Sequence, residues 1–326
     1  MALRLGLLST ASIARESLRA AATTPDVDFV AVASRDALRA QAYALEHAIP
    51  RPYGSYEELL DDPVVDAVYN PLPNSLHHEW TMRALAAGKH VLCEKPYSRH
   101  PAEVEEAFDR ADEAGLVLTE AFMYRHHPQT RRIAELVGEG ALGRVQLIRA
   151  TFSFVLQDET NIRALPELDG GVLMDIGCYC VNGARLLAGE PERVSAEQVT
   201  GPTGVDLAFL GTMRFADDVV AQFDSSFALP RNQRLEVEGE EGSLVVESPW
   251  RVDWGGAVVL RRGDAVEHVD VEQADSYRLQ LENFAAAIDG SAPPLLGRED
   301  AVGQARAIDA LYRSAAERRA IELERT

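Results

Sequence analysis

Short apolar runs alternate with segments of helical periodicity over the first 120 residues, and this alternation constrains the fold more than any other feature of the sequence. The strand-like runs cover residues 3–8, 27–33, 64–69, 90–93 and 116–120. Amphipathic helix patterns cover residues 13–22, 36–47, 75–87 and 101–114, and the last two are closed by Gly88 and Gly115. Strands that alternate with helices form βαβ units. The sequence therefore predicts an α/β fold with a doubly wound parallel sheet.

The second part of the chain has a different pattern, in which β-rich runs follow one another with few helices between them. These runs cover residues 145–154, 192–200, 207–215, 219–227 and 234–238. Strands joined in this way pair antiparallel. Helix patterns cover residues 171–187, 276–288 and 298–317. We predict a dinucleotide-binding domain in residues 1–121 and an α+β domain for substrate binding and oligomerisation, with an open, mainly antiparallel sheet, in residues 122–326.

Composition narrows the class of partner. Lys plus Arg total 32 against 52 Asp plus Glu, so the formal net charge of -20 disfavours nucleic acid and anionic membranes. No run approaches the roughly 18 apolar residues of a membrane helix, and the first strand pattern begins without a secretory leader. Cys178 and Cys180 lie too close in sequence to form a disulfide framework, and no zinc-type spacing accompanies them. We expect a soluble, cytoplasmic protein without a metal.

The loop after the first strand is the first candidate for cofactor binding. It reads Gly6-Leu-Leu-Ser-Thr-Ala-Ser-Ile13, where a dinucleotide-binding fold directs a helix N-terminus at the pyrophosphate. Only the first glycine of G-x-G-x-x-G is present, because Leu8 and Ala11 take the other two places. The residues that we assign to the cofactor here are Gly6, Ser9, Thr10, Ala11, Ser12 and Ile13.

The end of the second strand indicates which cofactor binds. An acidic residue there would accept a hydrogen bond from the ribose 2'-hydroxyl of NAD, but this chain has Ser34 and Arg35. A hydroxyl and a guanidinium suit the 2'-phosphate of NADP, so we predict NADP, with NAD as the less favoured alternative. The competing interpretation is that Ser34 caps the next helix and Arg35 is a surface residue.

Polar residues also follow two later strands. Glu94-Lys95-Pro96 stands at the carboxyl end of one strand, where α/β sheets bind ligands, and Pro96 can hold a cis or otherwise fixed bend that directs Lys95 into a cleft. The alternative is an ordinary ion pair between Glu94 and Lys95. After another strand, Asn74 can cap the following helix, and His77 and His78 cannot both face the core.

Asp175 and Tyr179 stand four residues apart in the helix pattern of the second domain and so share one face. A carboxylate and a phenol together can bind a polyol and exchange its proton. Because tyrosine has a reference pKa of about 10, it acts as a base near neutrality only if a cation such as Lys95 lowers that value. The alternative is that Tyr179 packs and Asp175 bonds a neighbouring turn.

In combination, several motifs make the chain resemble the glucose-fructose oxidoreductase, inositol dehydrogenase and rhizopine catabolism (Gfo/Idh/MocA) superfamily. They are Glu94-Lys95-Pro96, Pro71-Leu-Pro-Asn74-Ser-Leu-His77-His78-Glu79-Trp80, Glu120-Ala-Phe-Met123-Tyr-Arg125-His-His-Pro128, Asn161-Ile-Arg163, Gly170-Gly171 and Met174-Asp175-Ile-Gly177-Cys-Tyr179. With tyrosine where inositol dehydrogenase relatives usually carry histidine, the chain looks like the branch of glucose-fructose oxidoreductase, NADP-dependent xylose dehydrogenase and dihydrodiol dehydrogenase.

The resemblance implies a Rossmann domain followed by an open-sheet domain, with the nicotinamide at the domain junction. It implies that Lys95 is catalytic and positions the cofactor, and that Tyr179 is the acid/base. Ser34 and Arg35 would hold the 2'-phosphate. It adds Pro71, Leu72, Asn74, His77 and Glu94 to the cofactor site, and Met123, Arg163 and Asp175 join Lys95 and Tyr179 at the substrate.

These expectations give an NADP-dependent oxidoreductase of sugars or polyols, for example an aldose 1-dehydrogenase or a cyclic diol dehydrogenase. Two alternatives remain: a reductase of anhydrosugar or nucleotide-linked deoxysugar ketones, and a non-enzymatic NADP-binding sensor. We also expect a homodimer or homotetramer, because a sheet face that exposes apolar side chains from residues 219–227 would favour self-association.

Overall fold

The structure of the protein is a computed structural model that describes residues 2–324. The chain forms two compact units, each assembled from two stretches of sequence. The first unit comprises the residues up to His126 together with Asp275–Val302, and the second comprises His127–Ala274 together with the residues from Gly303 onward.

Six parallel strands form the sheet of the first unit. They are β1 Leu3–Leu8, β2 Val27–Ala33, β3 Arg51–Tyr53, β4 Ala67–Asn70, β5 His90–Cys93 and β6 Leu118–Glu120. The helices are α1 Ala14–Ala21, α2 Ala37–Glu46, α3 Tyr56–Leu60, α4 His77–Ala86 and α5 Pro101–Ala114, with 3₁₀ turns at Asn74–Leu76 and Met123–His126. The strand order β3-β2-β1-β4-β5-β6 is that of a doubly wound dinucleotide-binding sheet, as predicted.

Strand limits in this unit follow the apolar runs, with one shift that has a visible cause. β4 begins at Ala67 rather than at residue 64, because the Val64 amide donates to the Asp62 carboxylate at 2.9 Å and holds the chain in a turn. The Lys89 ammonium donates to the Asp62 and Val65 carbonyls, each at 2.8 Å. The short elements β3 and α3, of three and five residues, were not predicted.

The second unit contains the larger sheet. Its first elements are α6 Pro128–Gly138, β7 Val145–Ser153, α7 Cys178–Ala188, β8 Arg193–Thr200, β9 Asp206–Arg214, β10 Val220–Ser226, β11 Asn232–Gly239, β12 Ser243–Val246, β13 Val258–Arg262 and β14 Ala265–His268. A π-helical turn, Leu173–Gly177, leads into α7. The last elements of the chain are α8 Ser276–Asp289, α9 Arg298–Glu317 and β15 Ile321–Glu322.

The nine strands lie in the order β14-β13-β12-β11-β7-β10-β9-β8-β15. All neighbouring pairs are antiparallel except β7 and β10, which run parallel in a register that pairs Val220 with Leu147. The mainly antiparallel sheet was predicted. The helix α6 and the strands β12–β14 were not.

The chain returns to the first unit at Asp275–Val302, whereas the predicted division placed all residues after 121 in the second domain. Helix α8 packs against α1, β2 and the Met123–His126 turn, all within the first unit. Asp275 caps α8 through the Tyr277 and Arg278 amides, and its carboxylate also pairs with Arg19 at 2.9 Å. Local sequence patterns give helix limits but not helix partners, so this return could not be deduced from them.

The side chains of residues 219–227 do not expose the apolar surface that was expected. Val219, Ala221, Phe223 and Phe227 are buried, whereas Gln222 and Asp224 point to solvent. Successive strand residues face opposite sides of a sheet, and here the apolar set faces the core. The argument from these residues to self-association is therefore wrong.

No helix within residues 2–324 is long and apolar enough to cross a bilayer. In the same part of the chain, no group of three or more His, Cys, Asp and Glu side chains is arranged for metal binding.

Candidate functional site

The predicted cofactor residues of the first unit stand after β1, β2, β4 and β5, at one edge of the parallel sheet. Backbone bonds tie each strand exit to its neighbour: Ser9 N to Ala33 O at 3.1 Å, Ser34 N to Tyr53 O at 3.1 Å, Glu94 N to Asn70 O at 3.0 Å and Ala121 N to Cys93 O at 2.8 Å. This is the edge where open α/β sheets bind their ligands.

In the loop after β1, Ser9 adopts the backbone conformation that a glycine would otherwise provide. Leu8 is fully buried, so its side chain faces the core. Ser9 takes a φ of 117°, a conformation that favours glycine, and its hydroxyl accepts a hydrogen bond from the Ala11 amide at 3.2 Å. Ile13, the N-cap residue of α1, makes no side-chain capping bond. The amides of Thr10, Ser12 and Ile13, which precede the hydrogen-bonded first turn of α1, are those that suit a pyrophosphate, and the loop fits a dinucleotide.

At the end of β2, the structure corrects the capping interpretation. Asp36 caps α2, accepting from the Leu38 and Arg39 amides at 2.9 and 3.2 Å, while the Ser34 hydroxyl accepts from the Asp36 amide at 3.3 Å. Arg35 is exposed, and burial raises the pKa of the Tyr56 phenol more strongly than the Arg35 charge lowers it. No acidic residue stands at the strand tip itself. A hydroxyl and an exposed guanidinium fit a 2'-phosphate.

His77 supports two loops of the edge from inside. Its ring nitrogens lie 2.8 Å from the Leu72 carbonyl and 3.0 Å from the Pro96 carbonyl. Burial lowers the pKa of His77 to about 4, against these two hydrogen bonds, which raise it, and the nearby charge of Lys95 lowers it further. His77 is therefore placed to position Leu72 and Pro96, and its predicted contact with the cofactor stays a prediction.

Asn74 is not the N-cap residue of α4, as the alternative interpretation expected. It begins the 3₁₀ turn Asn74–Leu76, and the N-cap residue of α4 is Leu76. Pro71 is buried directly before Leu72 in the same loop. The predicted roles of Asn74 and Pro71 at the cofactor stay predictions.

Glu94 is anchored before Lys95 by two contacts. Its carboxylate accepts from the Tyr69 phenol at 2.6 Å and from the Lys95 amide at 3.3 Å. Burial and the Glu94 charge hold the pKa of Tyr69 well above its usual value, so this phenol stays a proton donor. The Lys95–Pro96 peptide bond is cis. Tyr69 was not singled out from the sequence, because a tyrosine inside a strand reads as core.

The end of β6 supplies the last residues of this edge. The Glu120 carboxylate accepts from the Tyr97 amide at 2.7 Å and so connects the loop after Pro96 to β6. Met123 is buried in the 3₁₀ turn that follows. Its predicted substrate contact stays a prediction.

In the second unit, the structure brings together Arg163 and Asp175. The Arg163 guanidinium donates through Nε to Asp175 Oδ2 at 2.7 Å, and the Asn161 side chain accepts from the Arg163 amide at 3.1 Å. Asp175 lies in the π turn, a distortion that often marks functional sites. Asp175 therefore does hydrogen-bond a neighbouring turn, as the alternative interpretation expected. Arg163 and Asp175 form one polar pair.

Tyr179 lies in the first turn of α7 among aromatic rings. Its ring centre is 5.7 Å from that of Phe152 and 6.2 Å from that of Trp250, and 6 % of the residue is exposed. Trp250 can approach α7 because Gly183 has no side chain: a Cβ there would lie 2.5 Å from the indole. Phe152 and Trp250 were not predicted. Their contacts join distant parts of the sequence, which no local pattern indicates.

Two family models match the chain. Residues 3–122 match the oxidoreductase family with an NAD-binding Rossmann fold, GFO_IDH_MocA, and residues 130–245 match the GFO/IDH/MocA C-terminal domain. A D-xylose 1-dehydrogenase (NADP(+)) from Haloferax volcanii is 42% identical over 98% of this chain and 99% of its own length.

Solved structures agree. A 3-ketoreductase from Actinomadura kijaniata, in complex with NADP and TDP-benzene, superposes with a TM-score of 0.91 at 32% identity, over 96% of this chain and 98% of that one. An aldose-aldose oxidoreductase from Caulobacter crescentus, complexed with glycerol, gives a TM-score of 0.92 at 30% identity, over 99% and 100% of the two chains. The resemblance inferred from the motifs is confirmed: the chain belongs to the Gfo/Idh/MocA family of oxidoreductases.

Proposed function

We propose that the protein is an NADP-dependent oxidoreductase of sugars or polyols, acting as an aldose 1-dehydrogenase or as a cyclic diol dehydrogenase. The observation that carries the proposal lies at one sheet edge. There, Ser34 and Arg35 follow β2, which has no acidic residue at its tip. Lys95 follows β5 at the same end of the parallel sheet. The similarity to an NADP-dependent D-xylose dehydrogenase along nearly the whole chain supports it.

The cofactor would be held by the strand exits of the first unit. The N–H groups of Thr10, Ser12 and Ile13 suit the pyrophosphate, and Ser34 with Arg35 suits the 2'-phosphate. Glu94, fixed by Tyr69, and Leu72 and Pro96, fixed by His77, would shape the nicotinamide end. When bound, NADP accepts the hydride from the substrate carbon.

In the oxidative direction, Tyr179 takes the proton of the substrate hydroxyl while the carbon loses its hydride and becomes a carbonyl. A cation favours the ionised phenol, and Lys95 is the cation that the family motifs assign to this role. Arg163 and Asp175 orient further hydroxyls, since a guanidinium donates and a carboxylate accepts. In the reverse direction, Tyr179 returns the proton to the carbonyl oxygen.

The direct test follows the absorbance of the reduced nicotinamide. Purified protein receives NADP and then NAD with aldoses, inositols and cyclic diols, and NADPH with keto-sugars. We expect turnover with NADP and an aldose or a cyclic diol. Tight NADPH binding without turnover in either direction would contradict the proposal and favour the sensor alternative.

A second candidate is a keto-sugar reductase, favoured by the similarity to the 3-ketoreductase that is solved with NADP and TDP-benzene. Oxidation of NADPH by an anhydrosugar or nucleotide-linked ketone, without turnover of free aldoses, would select it. The high negative charge of the chain favours the uncharged sugars.

We further propose a cytoplasmic homodimer or homotetramer. We also propose that residues 1–121 bind the cofactor, with Asp275–Val302 as a structural part of the same unit, and that the rest of residues 122–326 binds the substrate and the other subunits. Light scattering coupled to gel filtration tests the oligomeric state. A monomer at micromolar concentration would exclude it.

A further inference from the structure

Asp206 is a buried carboxylate of the second unit that neither the family motifs nor the proposed chemistry uses. It is the first residue of β9, and 5% of it is exposed. Its Oδ2 accepts from the Leu173 amide at 2.7 Å, and its Oδ1 accepts from the Tyr312 phenol of α9 at 3.1 Å. Asp206 thus connects a strand, the terminal helix and the first residue of the π turn.

Gly171 makes this approach possible. It has a φ of 123°, and a Cβ at this position would lie 2.1 Å from Asp206 Oδ1. Its amide donates to the Arg163 carbonyl at 2.8 Å, and its carbonyl accepts from the Asp175 amide at 3.1 Å. The carboxylate therefore sits where the loop carrying Arg163 meets the turn carrying Asp175.

The start of the π turn needs an acceptor from outside. Amides at the start of a helix have no partner within it, and the local N-cap residue, Val172, makes no side-chain capping bond. A carboxylate satisfies such amides and interacts favourably with the helix dipole. Asp206, in strand β9, supplies that carboxylate from a position 33 residues after Leu173.

The chemistry of this position is unusual for simple packing. Burial raises the pKa of Asp206 to about 6, against the hydrogen bonds from Leu173, Val172 and Tyr312, which lower it. A buried carboxylate is costly unless it is well hydrogen-bonded. An apolar residue would fill the same space without that cost but could not hold the turn.

We propose that Asp206, locked by Tyr312, is a positioning residue that holds the π turn and so presents Asp175 and Tyr179 for reaction. The inference rests on the proposed function for its catalytic consequence. Neither Asp206 nor Tyr312 is assigned a contact with substrate or cofactor.

The kinetic test compares Asp206→Asn with the wild type. Small displacements of catalytic groups are costly, so we expect kcat to fall about ten- to a hundredfold. NADPH binds through other residues, so its Kd should stay within about twofold. Tyr312→Phe removes one hydrogen bond to a charged group and should lower kcat about fivefold. Because both act on one contact, the double variant should be no slower than Asp206→Asn.

Asp62→Asn is the matched control. Asp62 is also buried and also accepts from a backbone amide, Val64 at 2.9 Å, and from a phenol, Tyr53 at 2.8 Å. It should lower the thermal midpoint without lowering kcat. If Asp206→Asn behaves like this control, Asp206 has a structural role only and the inference is overturned. If Asp206→Asn does not fold, Tyr312→Phe decides in the same way.

Hydrogen exchange separates this inference from the proposed function. In Asp206→Asn, amides of residues 172–179 should exchange at least about tenfold faster than in the wild type, while the first unit is unchanged. If no substrate is found for the wild type, the proposed function fails, and the exchange data still decide. Local acceleration supports the positioning role, and unchanged exchange overturns it.

Discussion

The strand exits of the first unit and the Tyr179 helix of the second unit obtain their functional groups in different ways. At the strand exits, Ser34 and Lys95 follow directly from the ends of β2 and β5, and the parallel sheet fixes where they stand. Around Tyr179, the rings of Phe152 and Trp250 come from remote segments. The first region is specified locally, and the second is specified by tertiary packing.

In the proposed function, this difference separates cofactor binding at the strand exits from proton transfer at Tyr179. A cofactor site of the kind proposed, in which backbone N–H groups bind the pyrophosphate, tolerates side-chain changes, as Leu8 and Ser9 in the loop after β1 illustrate. The Tyr179 phenol, which we propose as the acid/base, is held by packing and depends on the side chains that surround it. Substitutions in the two regions should therefore change different measured quantities.

The largest effect is expected for Tyr179→Phe. Loss of the acid/base group should lower kcat about 10²- to 10⁴-fold, with NADPH affinity nearly unchanged. Stopped-flow hydride transfer and fluorescence titration of NADPH measure the two quantities. Tyr43→Phe is the control, because the Tyr43 hydroxyl is buried and has no hydrogen-bond partner within residues 2–324. Wild-type activity in Tyr179→Phe would remove the acid/base assignment.

The second effect concerns His77 and acid stability in the first unit. Its pKa is lowered from 6.5 to about 4, so the unfolded chain binds the proton more readily. The stability linked to His77 is therefore present above pH 6.5 and is lost as the pH falls towards 4, by about 3 kcal/mol at about 1.4 kcal/mol per pKa unit.

Urea unfolding of the wild type and His77→Gln from pH 4 to 7 measures this. The difference in unfolding free energy should increase with pH. A difference that decreases instead would mean that the Leu72 and Pro96 carbonyls hold the imidazolium form and outweigh burial.

The third effect has the opposite sign and belongs to the second unit. The pKa of Asp206 is raised from 3.8 to about 6, so the folded state binds the proton more readily. The stability linked to Asp206 is therefore fully present below pH 3.8 and is lost as the pH rises through 6, by about 2 to 3 kcal/mol. The difference between wild type and Asp206→Asn should decrease with pH over this window. Equal slopes for the Asp206 and His77 variants would contradict the contrast.

The smallest effect is expected for Arg35→Ala. Loss of one charge-assisted bond to the 2'-phosphate costs about 1.5 to 3 kcal/mol, so KM for NADP should rise about ten- to a hundredfold. KM for NAD, which lacks that phosphate, is the internal control and should not change. A parallel rise for both cofactors would show that Arg35 does not read the phosphate.

The sequence predicts much of the first region because periodicity and strand ends are local properties. The family, the α/β class and the parallel sheet are confirmed, and β1, β2 and β5 begin and end where the apolar runs do. The NADP assignment agrees with the NADP-dependent relative and the NADP-bound neighbour. The individual site residues stay predictions.

The rest depends on contacts between distant residues. Asp206 stands at the start of a strand, where a charged residue reads as a solvated edge, and only its contact with Leu173 reveals its place. The burial of residues 219–227 depends on which sheet face meets α7 and the π turn. The partners of α8 likewise lie far away in sequence.

The return of α8 to the first unit has a consequence for how this chain can be divided or recombined. The chain passes between the units three times, after His126, Ala274 and Val302. A fragment that ends near residue 126 would leave the surfaces of α1 and β2 that α8 covers open to solvent. A cofactor domain exchanged between relatives must therefore carry Asp275–Val302 with it. A chimera with a single crossover near residue 126 would instead pack α8 of one relative against α1 and β2 of another, to which it is not matched.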